Sequence, residues 1–417
     1  MSVFLVLRIF IPLASGYFVT SLFRSISAII APDLVQDLNL TAIELGFSVS
    51  VFYICGALMQ LPYGVLLDRY DPRKLYACFL FLSFLGTVIV SVAQDVVDLS
   101  IGRTLLTAGT TASAVTAYKV FSMWYSSDRL PMANGLALAL GGLGMMAGTT
   151  PVEMALQNFD WRDIHLLIGM MILLCAILIL SVTPQKVTTA KGIPLWEQIK
   201  GFKVILKSLV FWKVTPVLMA VMGVYGAFPP LWAGPWLRDV AEFNDFETAN
   251  ILFFMLGATT ICYFLTGSIT NVGKRVGLTS IGVAIATALL FTTVVIILFF
   301  QSTSSDSGLI SSRPAIILMW ILFGFLAPFS MLIYAGLSKE YPLEFNGRLN
   351  ACLTLSWLLG MILAQNIYGW VLDQFLGTNG NFAIEGHQLG MGIMVLWLLV
   401  TLVWYSLFDW FSRKKAI

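Results

Sequence analysis

Apolar segments separated by short polar breaks run along the whole chain, and their lengths suit membrane-spanning helices. An α-helix needs about 20 apolar residues to cross the hydrocarbon core of a bilayer. Twelve such segments are predicted, near residues 5–30, 42–66, 75–93, 99–123, 131–156, 163–183, 211–237, 248–270, 277–300, 314–337, 347–372 and 388–410. The pattern therefore predicts an all-α integral membrane protein with twelve transmembrane helices.

One polar interval is longer than the others and divides the twelve spans into two sets of six. We predict an N-terminal six-helix bundle over residues 1–183, a cytoplasmic linker over 184–210 and a C-terminal bundle over 211–417. A weak internal repeat supports two pseudo-symmetric halves, since a shift of 216 residues takes Gly144 to Gly360. Parallel repeats of this kind are typical of transporters whose site lies where the halves meet.

Composition excludes the common soluble classes and most enzyme chemistry. Hydrophobic residues make up 58% of the chain and charged residues 11%, whereas a soluble domain carries about 25% charged residues. The five cysteines lie inside apolar segments without a CxxC pair, and the two histidines, His165 and His387, are far apart. We therefore expect no disulfide framework, no metal site, no cofactor and no nucleic-acid partner. No nucleophile–base pair or phosphate-binding loop indicates an enzyme.

Basic residues collect in the loops of one side, and this asymmetry predicts the orientation of the chain. The loops on the side of the two termini hold 18 lysines and arginines, whereas the opposite loops hold three, Arg162, Arg238 and Arg313. Because basic loops stay in the cytoplasm, both termini are predicted to be cytoplasmic. The compact loops favour a multi-pass protein of the bacterial inner membrane, and we expect a monomer.

The loop between the second and third predicted spans carries the most specific motif. Its sequence is GVLLDRYDPRK over residues 64–74, which resembles the signature of the major facilitator superfamily, a glycine followed by an Asp-Arg pair and then basic residues. Asp71-Pro72 departs from that signature, where the loop usually carries a glycine. The resemblance implies two six-helix bundles and alternating access, with a gate that closes the cytoplasmic side. The implied gate residues are Gly64, which would permit close helix approach, and Asp68, Arg69 and Arg73.

Two basic residues inside the first-half spans are candidates for substrate binding, because a charge within a span needs a cavity or a partner. Arg24 shares a 3-4-3 spaced stripe with Tyr17, Thr20 and Ser27, and this stripe predicts a cavity lining. The alternative for Arg24 is a structural hydrogen-bonding role. Lys119 in the fourth span is the second candidate, and its alternative is a side chain that reaches the nearby cytoplasmic surface.

The second half supplies polar and aromatic groups in place of charges. Tyr225, Tyr334 and Gln365 are predicted to contribute to substrate binding, and their alternative role is packing. Phe228-Pro229-Pro230 is predicted to break the seventh span, because prolines remove backbone donors and bend a helix. Such a break suits a gate on the outer side.

Two acidic residues are hypothesised to carry a coupling proton. Burial of Glu153 in the fifth span would suit it to that task, although an ion pair with Arg103 at similar depth is the competing expectation. Glu44, at the outer start of the second span, is the other candidate, and its alternative is simple solvation.

The charge of the predicted cavity indicates the class of substrate. A basic cavity without a central acid prefers anions, and arginine matches carboxylate or phosphate through paired donors. We predict a secondary transporter for a small organic anion, a carboxylate-bearing nutrient, metabolite or chelator, with proton coupling as an open hypothesis. The glycine-rich stretch 141–144 is loosely similar to the nitrate and organic-anion branches of the superfamily. The alternative is a proton-coupled multidrug or metabolite efflux antiporter, but the Gly-Pro pair typical of such exporters is missing, since Gly148 and Pro151 stand three residues apart.

Overall fold

The fold is built from helices, in a computed structural model that describes residues 3–126, 130–185, 203–275, 277–302, 312–342, 346–375 and 382–414. The first half contains α1 (Ile11–Ile29), α2 (Ala31–Leu38), α3 (Ala42–Arg69), α4 (Pro72–Ser91), α5 (Val96–Trp124), α6 (Leu130–Ala147), α7 (Thr150–Leu156) and α8 (Trp161–Val182), after a short helical turn at Val3–Leu5 and a π-helical turn at Val6–Phe10. The second half contains α9 (Leu209–Ala227), α10 (Ala233–Asp239), α11 (Asp245–Arg275), α12 (Ser280–Ser302), α13 (Arg313–Leu326), α14 (Leu332–Leu337), α15 (Asn346–Asp373) and α16 (Ile384–Lys414).

The lengths and polarity of these helices agree with the predicted spans. Within the described residues, eleven helical segments are long and apolar enough to cross a membrane. The helix α5, over Val96–Trp124, is not among the eleven although it has 29 residues. Its sequence includes Asp98, Arg103 and Lys119, so it is the most polar of the predicted spans and depends on partners inside the protein.

Side-chain caps fix where several of these helices begin. Thr41 and Glu44 form a capping box at the start of α3, in which each side chain bonds the backbone N–H of the other. The Asp71 carboxylate accepts from the Arg73 N–H at 3.0 Å, with Pro72 in the first turn of α4. Asp71-Pro72 therefore supplies a helix start where a glycine was expected, because proline is preorganised for that position.

Prolines and a glycine interrupt three of the spans. The predicted break in the seventh span is confirmed as a π-helical turn at Phe228–Trp232 between α9 and α10. Two further breaks were not predicted. The fifth span divides at Gly148, where a Cβ would overlap the Ser25 hydroxyl and the Leu22 carbonyl of α1, and the tenth contains a 3₁₀ turn at Ala327–Met331.

The helices pack into two compact units. The first comprises Met1–Gly192 with Asn244–Phe253, and the second comprises Ile193–Phe243 with Phe254–Ile417. The helix α11 thus begins in the first unit and continues in the second, whereas the sequence placed all of it in the C-terminal bundle. Residues 186–202 of the predicted linker lie outside the described residues.

The predicted internal repeat recurs in the packing of each unit. In the first unit, Gly144 of α6 lies against the backbone carbonyl of Phe18 in α1. In the second unit, Gly360 of α15 lies against the backbone carbonyl of Met219 in α9. The 216-residue shift that relates the two glycines therefore relates two close helix crossings, each of which requires a residue without a Cβ.

We expect Gly144→Ala to destabilise the first unit, because the added Cβ would overlap the Phe18 carbonyl oxygen. Overpacking of this kind costs about 1–3 kcal/mol, which a thermal melt in detergent would record as a lower Tm. Gly135→Ala on the same helix is the matched control, because its Cβ would meet no atom within 4 Å. Equal melting of Gly144→Ala and wild type would contradict the close crossing.

Candidate functional site

Arg24 is a cation inside a predicted span of the first unit, and the described residues give it no hydrogen bond or ion pair. It lies near the C-terminal end of α1 and its side chain is half-buried. Within the described residues, its guanidinium makes no hydrogen bond or ion pair, although its charge acts on the ring hydroxyl of Tyr53 in α3. A guanidinium carries five donors, so Arg24 has donors to offer a ligand.

The other members of the predicted stripe turn towards neighbouring helices instead of a common cavity. The Thr20 hydroxyl bonds the Ser113 hydroxyl of α5 at 2.9 Å, and both side chains are buried. Tyr17 is 7% exposed and its ring packs over Gly141 of α6. Thr20 and Tyr17 each meet a partner within the bundle in this structure, and their contribution to substrate binding stays a prediction.

Arg103 is held by hydroxyl groups, and the expected ion pair with Glu153 is wrong. Its guanidinium donates to the Ser48 hydroxyl at 2.6 Å and to the Ser27 hydroxyl at 3.1 Å, and the residue is 6% exposed. Sequence reasoning missed Ser48, which joins α3 to this network. The arginine thereby ties α1, α3 and α5 together near their outer ends.

The two candidate proton carriers differ in how they are used. Glu44 is a half-buried residue of the capping box, and its carboxylate accepts from the Thr41 N–H at 2.9 Å. This supports the helix-start role of Glu44 over proton coupling. Glu153 is half-buried and lines a pocket of about 420 Å³, to which Asp33 and Asp37 also contribute.

The acidic character of that pocket argues against an anion site there. Asp37 accepts hydrogen bonds from the Trp161 indole at 3.0 Å and from the Arg162 guanidinium at 2.6 Å. These bonds, with that of Trp161 the larger cause, hold the pKa of Asp37 below its usual value. The carboxylate is therefore ionised at neutral pH and repels an anion from the pocket.

The predicted tyrosines of the second unit are both hydrogen-bonded within that unit. The Tyr225 hydroxyl pairs with the Thr259 hydroxyl at 3.1 Å. The Tyr334 hydroxyl pairs with the Thr354 hydroxyl at 2.9 Å and accepts from the Trp357 indole at 3.1 Å. Both rings are partly buried, so each tyrosine could turn a polar edge to a ligand only by sharing these bonds.

Gln365 stabilises the broken seventh span and does not line a cavity in this structure. It is fully buried, and its amide nitrogen donates to the carbonyls of Gly226 and Ala227 at 3.3 Å. Pro230 has no N–H to offer the Gly226 carbonyl four residues earlier, so the amide replaces a missing helical donor. Gln365 thus has a structural contact at this break, and its part in substrate binding stays a prediction.

The gate motif is positioned by the ends of two helices. Arg73 donates to the carbonyl of Thr183 at 3.1 Å, at the end of α8, and its second nitrogen lies 3.6 Å from the Asp71 carboxylate. Arg69 is exposed at the last position of α3, and the side chain of Asp68 lies outside the described residues. A Cβ at Gly64 would meet no described atom within 4 Å, and the gate role of Gly64 stays a prediction.

Lys119 contacts the same helix end as the gate motif. Its ammonium donates to the backbone carbonyl of Leu67 at 3.0 Å, in the last turn of α3. A cation is favourable at that position because the C-terminal carbonyls of a helix are unsatisfied and carry partial negative charge. The Lys119 ammonium therefore has a structural contact at the end of α3, and its part in substrate binding stays a prediction.

The described residues offer no evident metal site. Across the ranges that the structure covers, no group of three or more His, Cys, Asp or Glu side chains is arranged to hold a metal ion. The five cysteines are free thiols, and three of them, Cys175, Cys262 and Cys352, are buried among helices.

Comparison with protein families gives a match to the model of the Major Facilitator Superfamily over residues 13–364. An uncharacterized transporter of Bacillus subtilis (strain 168), YybO, is 28% identical over 158 residues. A probable sulfoacetate transporter of Cupriavidus necator, SauU, is 25% identical over 153 residues. These alignments cover 38% and 37% of this chain and 36% of each relative, so the chain matches about a third of the length of these curated relatives.

Comparison with solved structures covers nearly the whole chain. A bacterial homolog of the human lysosomal transporter Spinster, solved in an inward-facing and unoccupied conformation, matches with a TM-score of 0.74 and 15% identity, over 98% of this chain and 97% of that one. This likeness and the family match confirm the predicted all-α membrane fold. They also agree with a multi-pass transporter of a bacterial inner membrane, and not with an enzyme. The orientation of the termini stays a prediction.

We expect Lys119→Met to lower the Tm and to leave ligand binding intact. The substitution keeps the length of the side chain but removes the charged hydrogen bond to Leu67, which contributes about 1.5–3 kcal/mol for a charged donor. Lys207→Met is the control, because Lys207 is exposed. The structural role would be refuted by a variant that melts like wild type and no longer responds to an anion that stabilises the parent.

Proposed function

We propose that this chain, which belongs to the Major Facilitator Superfamily, transports a small organic anion. The observation that carries this proposal is Arg24, a half-buried cation in a membrane span whose donors are not used by the described residues. A charge in such a place is costly unless it faces a cavity or a ligand. The guanidinium would bind a carboxylate through two parallel N–H donors.

The chemistry of a relative narrows the class of anion. The named activity of one relative is the probable transport of sulfoacetate, which carries a sulfonate and a carboxylate. Both groups are planar or trigonal arrays of oxygen acceptors that arginine binds well. We therefore propose carboxylates and sulfonates of a few carbon atoms as the first compounds to test.

The proposed mechanism is alternating access by the two halves. The anion would pair with Arg24, and Gly64, Asp68, Arg69 and Arg73 would close the predicted cytoplasmic side. The broken helix formed by α9, the Phe228–Trp232 turn and α10 would take part in closing the outer side, since a span interrupted at prolines can bend there. We propose that a monomer carries out the whole cycle.

We expect carboxylates or sulfonates to raise the Tm of the purified protein, and Arg24→Ala to abolish that response. A ligand at a hundred times its dissociation constant stabilises the folded state by about 2.7 kcal/mol. Sulfoacetate, simple mono- and dicarboxylates, phosphate esters and lipophilic cations would be compared in one thermal-shift series. Arg24→Lys should restore part of the response, because it keeps the charge and loses the paired donors.

Arg162→Ala is the matched control for loss of an arginine. Arg162 is already paired with Asp37 at 2.6 Å, so its removal should lower the Tm without removing the response to anions. Stabilisation by lipophilic cations alone, in the parent and in Arg24→Ala equally, would reject the anion proposal. That result would instead favour the efflux antiporter.

A further inference from the structure

Three polar side chains form a buried chain in the second unit, at the end of the membrane opposite to the predicted cytoplasmic termini. The Tyr368 hydroxyl of α15 lies 2.9 Å from Nδ1 of His387 in α16. The other ring nitrogen, Nε2, lies 3.1 Å from Oδ2 of Asp239, the last residue of α10. The His387 and Asp239 side chains are 0% and 5% exposed, and Tyr368 is fully buried.

We propose that His387 is the proton-binding site of this transporter, with Asp239 and Tyr368 as its positioning residues. The inference rests on the proposed function and supplies the coupling ion that the function left open. It assigns proton coupling to a histidine of the second unit and not to Glu153 or Glu44, the acidic residues considered from the sequence.

The hydrogen-bonding capacity of the three groups allows the ring to gain and lose a proton in place. In the neutral state, Nε2–H donates to the Asp239 carboxylate and the Tyr368 hydroxyl donates to Nδ1. When a proton binds Nδ1, that nitrogen becomes a donor and the hydroxyl rotates to accept, because a phenol oxygen can do either. Both contacts of the ring survive the change, and its cost falls on the Tyr368 hydroxyl, whose hydrogen gives up Nδ1 as its acceptor.

The net charge of the site also favours exchange of a proton. With neutral His387, the ionised Asp239 leaves one buried negative charge, whereas protonated His387 and Asp239 form a neutral pair. Burial of a single charge is costly unless it is compensated. Protonation of His387 therefore neutralises the charge of the Asp239 carboxylate. Loss of that proton leaves the carboxylate as an uncompensated buried charge.

The charge balance at His387 depends on the groups that surround it among the described residues. From α10 comes Asp239, which also accepts from the Phe382 N–H at 3.3 Å, and from α15 comes Tyr368. Glu385 on the same helix is exposed. The ring centroid of Phe382 lies 6.3 Å from that of His387, and Arg238, next to Asp239, is half-buried with an interaction of its own.

The proton site is in contact with the broken seventh span. The Tyr368 ring lies 5.2 Å from that of Phe228 and 5.4 Å from that of Trp232, measured between ring centroids. The Trp232 indole donates to the Gln365 carbonyl at 3.1 Å. Phe228 and Trp232 begin and end the π-helical turn, and Asp239 ends the short helix that follows it.

Through this contact, the charge of His387 would determine how strongly α10 is bound to the neighbouring helices. A protonated His387 attracts the Asp239 carboxylate by charge as well as by hydrogen bonding, and a neutral His387 by hydrogen bonding alone. Proton binding would therefore fasten α10 to α15 and α16, and proton release would let α10 move about the proline break.

His165, the other histidine of the chain, provides a matched control. It is also buried, but its Nδ1 pairs with the backbone carbonyl of Trp161 at 2.9 Å, and its ring contacts are those of Phe23 and Trp161. It lacks the carboxylate partner that His387 has. Comparing variants of His165 and His387 therefore separates the effect of losing any buried histidine from the effect of losing this cluster.

The first experiment measures protonation directly, by NMR of purified protein labelled with ¹⁵N in its two histidines. The variants His165→Gln and His387→Gln assign the signals. We expect the ring nitrogens of His387 to change from the neutral to the charged pattern as the sample is acidified, and Asp239→Asn and Tyr368→Phe to alter that change. A His387 ring that keeps one charge state at every pH at which the protein stays folded would overturn the proposal.

The second experiment measures coupling in proteoliposomes with sulfoacetate as the probe. For one proton carried per substrate, a gradient of about one pH unit supports about a tenfold accumulation. We expect His387→Gln to lose this accumulation while it still exchanges internal for external sulfoacetate, and His165→Gln and Glu153→Gln to accumulate like wild type. Wild-type accumulation by His387→Gln, or its loss in Glu153→Gln alone, would overturn the proposal.

The design separates failure of the proton site from failure of the proposed function. The NMR titration needs no substrate, so it decides the proton site even if wild type neither binds nor transports sulfoacetate. That last result would count against the proposed function alone. If His387→Gln does not melt cooperatively, Tyr368→Phe replaces it, because phenylalanine keeps the ring contacts with Phe228 and Trp232 and removes the hydroxyl.

Discussion

A polar group inside a bilayer has to find its partner inside the protein, and this constraint governs most polar side chains of the chain. Arg103 is held by serine hydroxyls, Lys119 by a carbonyl at a helix end, and Gln365 by carbonyls beside a proline break. Each has a partner that makes it structural. Arg24 lacks such a partner among the described residues, and that difference makes it the centre of the proposed binding site.

The same constraint applies to the backbone and explains where the spans can bend. Each proline removes one helical donor, so a carbonyl four residues earlier must be satisfied in another way. At the break in the seventh span the Gln365 amide meets that need. Elsewhere, Gly144 and Gly360 allow helices to approach so closely that their backbones are in contact. Rigid crossings and satisfied breaks within each unit are what a rocking mechanism needs.

The two proposals divide the chemistry of transport between the units. Arg24 in the first unit would bind the anion, and the cluster of Asp239, Tyr368 and His387 in the second unit would bind the proton. The acidic pocket beside Glu153 does not suit an anion, because hydrogen bonds from Trp161 and Arg162 keep the Asp37 carboxylate in its lining ionised. With separate sites, binding of the proton could favour the helix arrangement that binds the anion, and binding of the anion could favour the arrangement that binds the proton.

The sequence by itself determined the membrane class, the approximate spans and the family, because periods of apolar residues and the motif at residues 64–74 are local signals. It also singled out Arg24 by its rarity within a span. Only the tertiary structure decided which side chains already have contacts within the bundle, among them Thr20, Tyr17, Lys119 and Gln365. It also brought together Asp239 and His387, which are 148 residues apart. The hydrogen-bond partner of a side chain often lies in a segment that is distant in sequence, so local sequence patterns do not predict it.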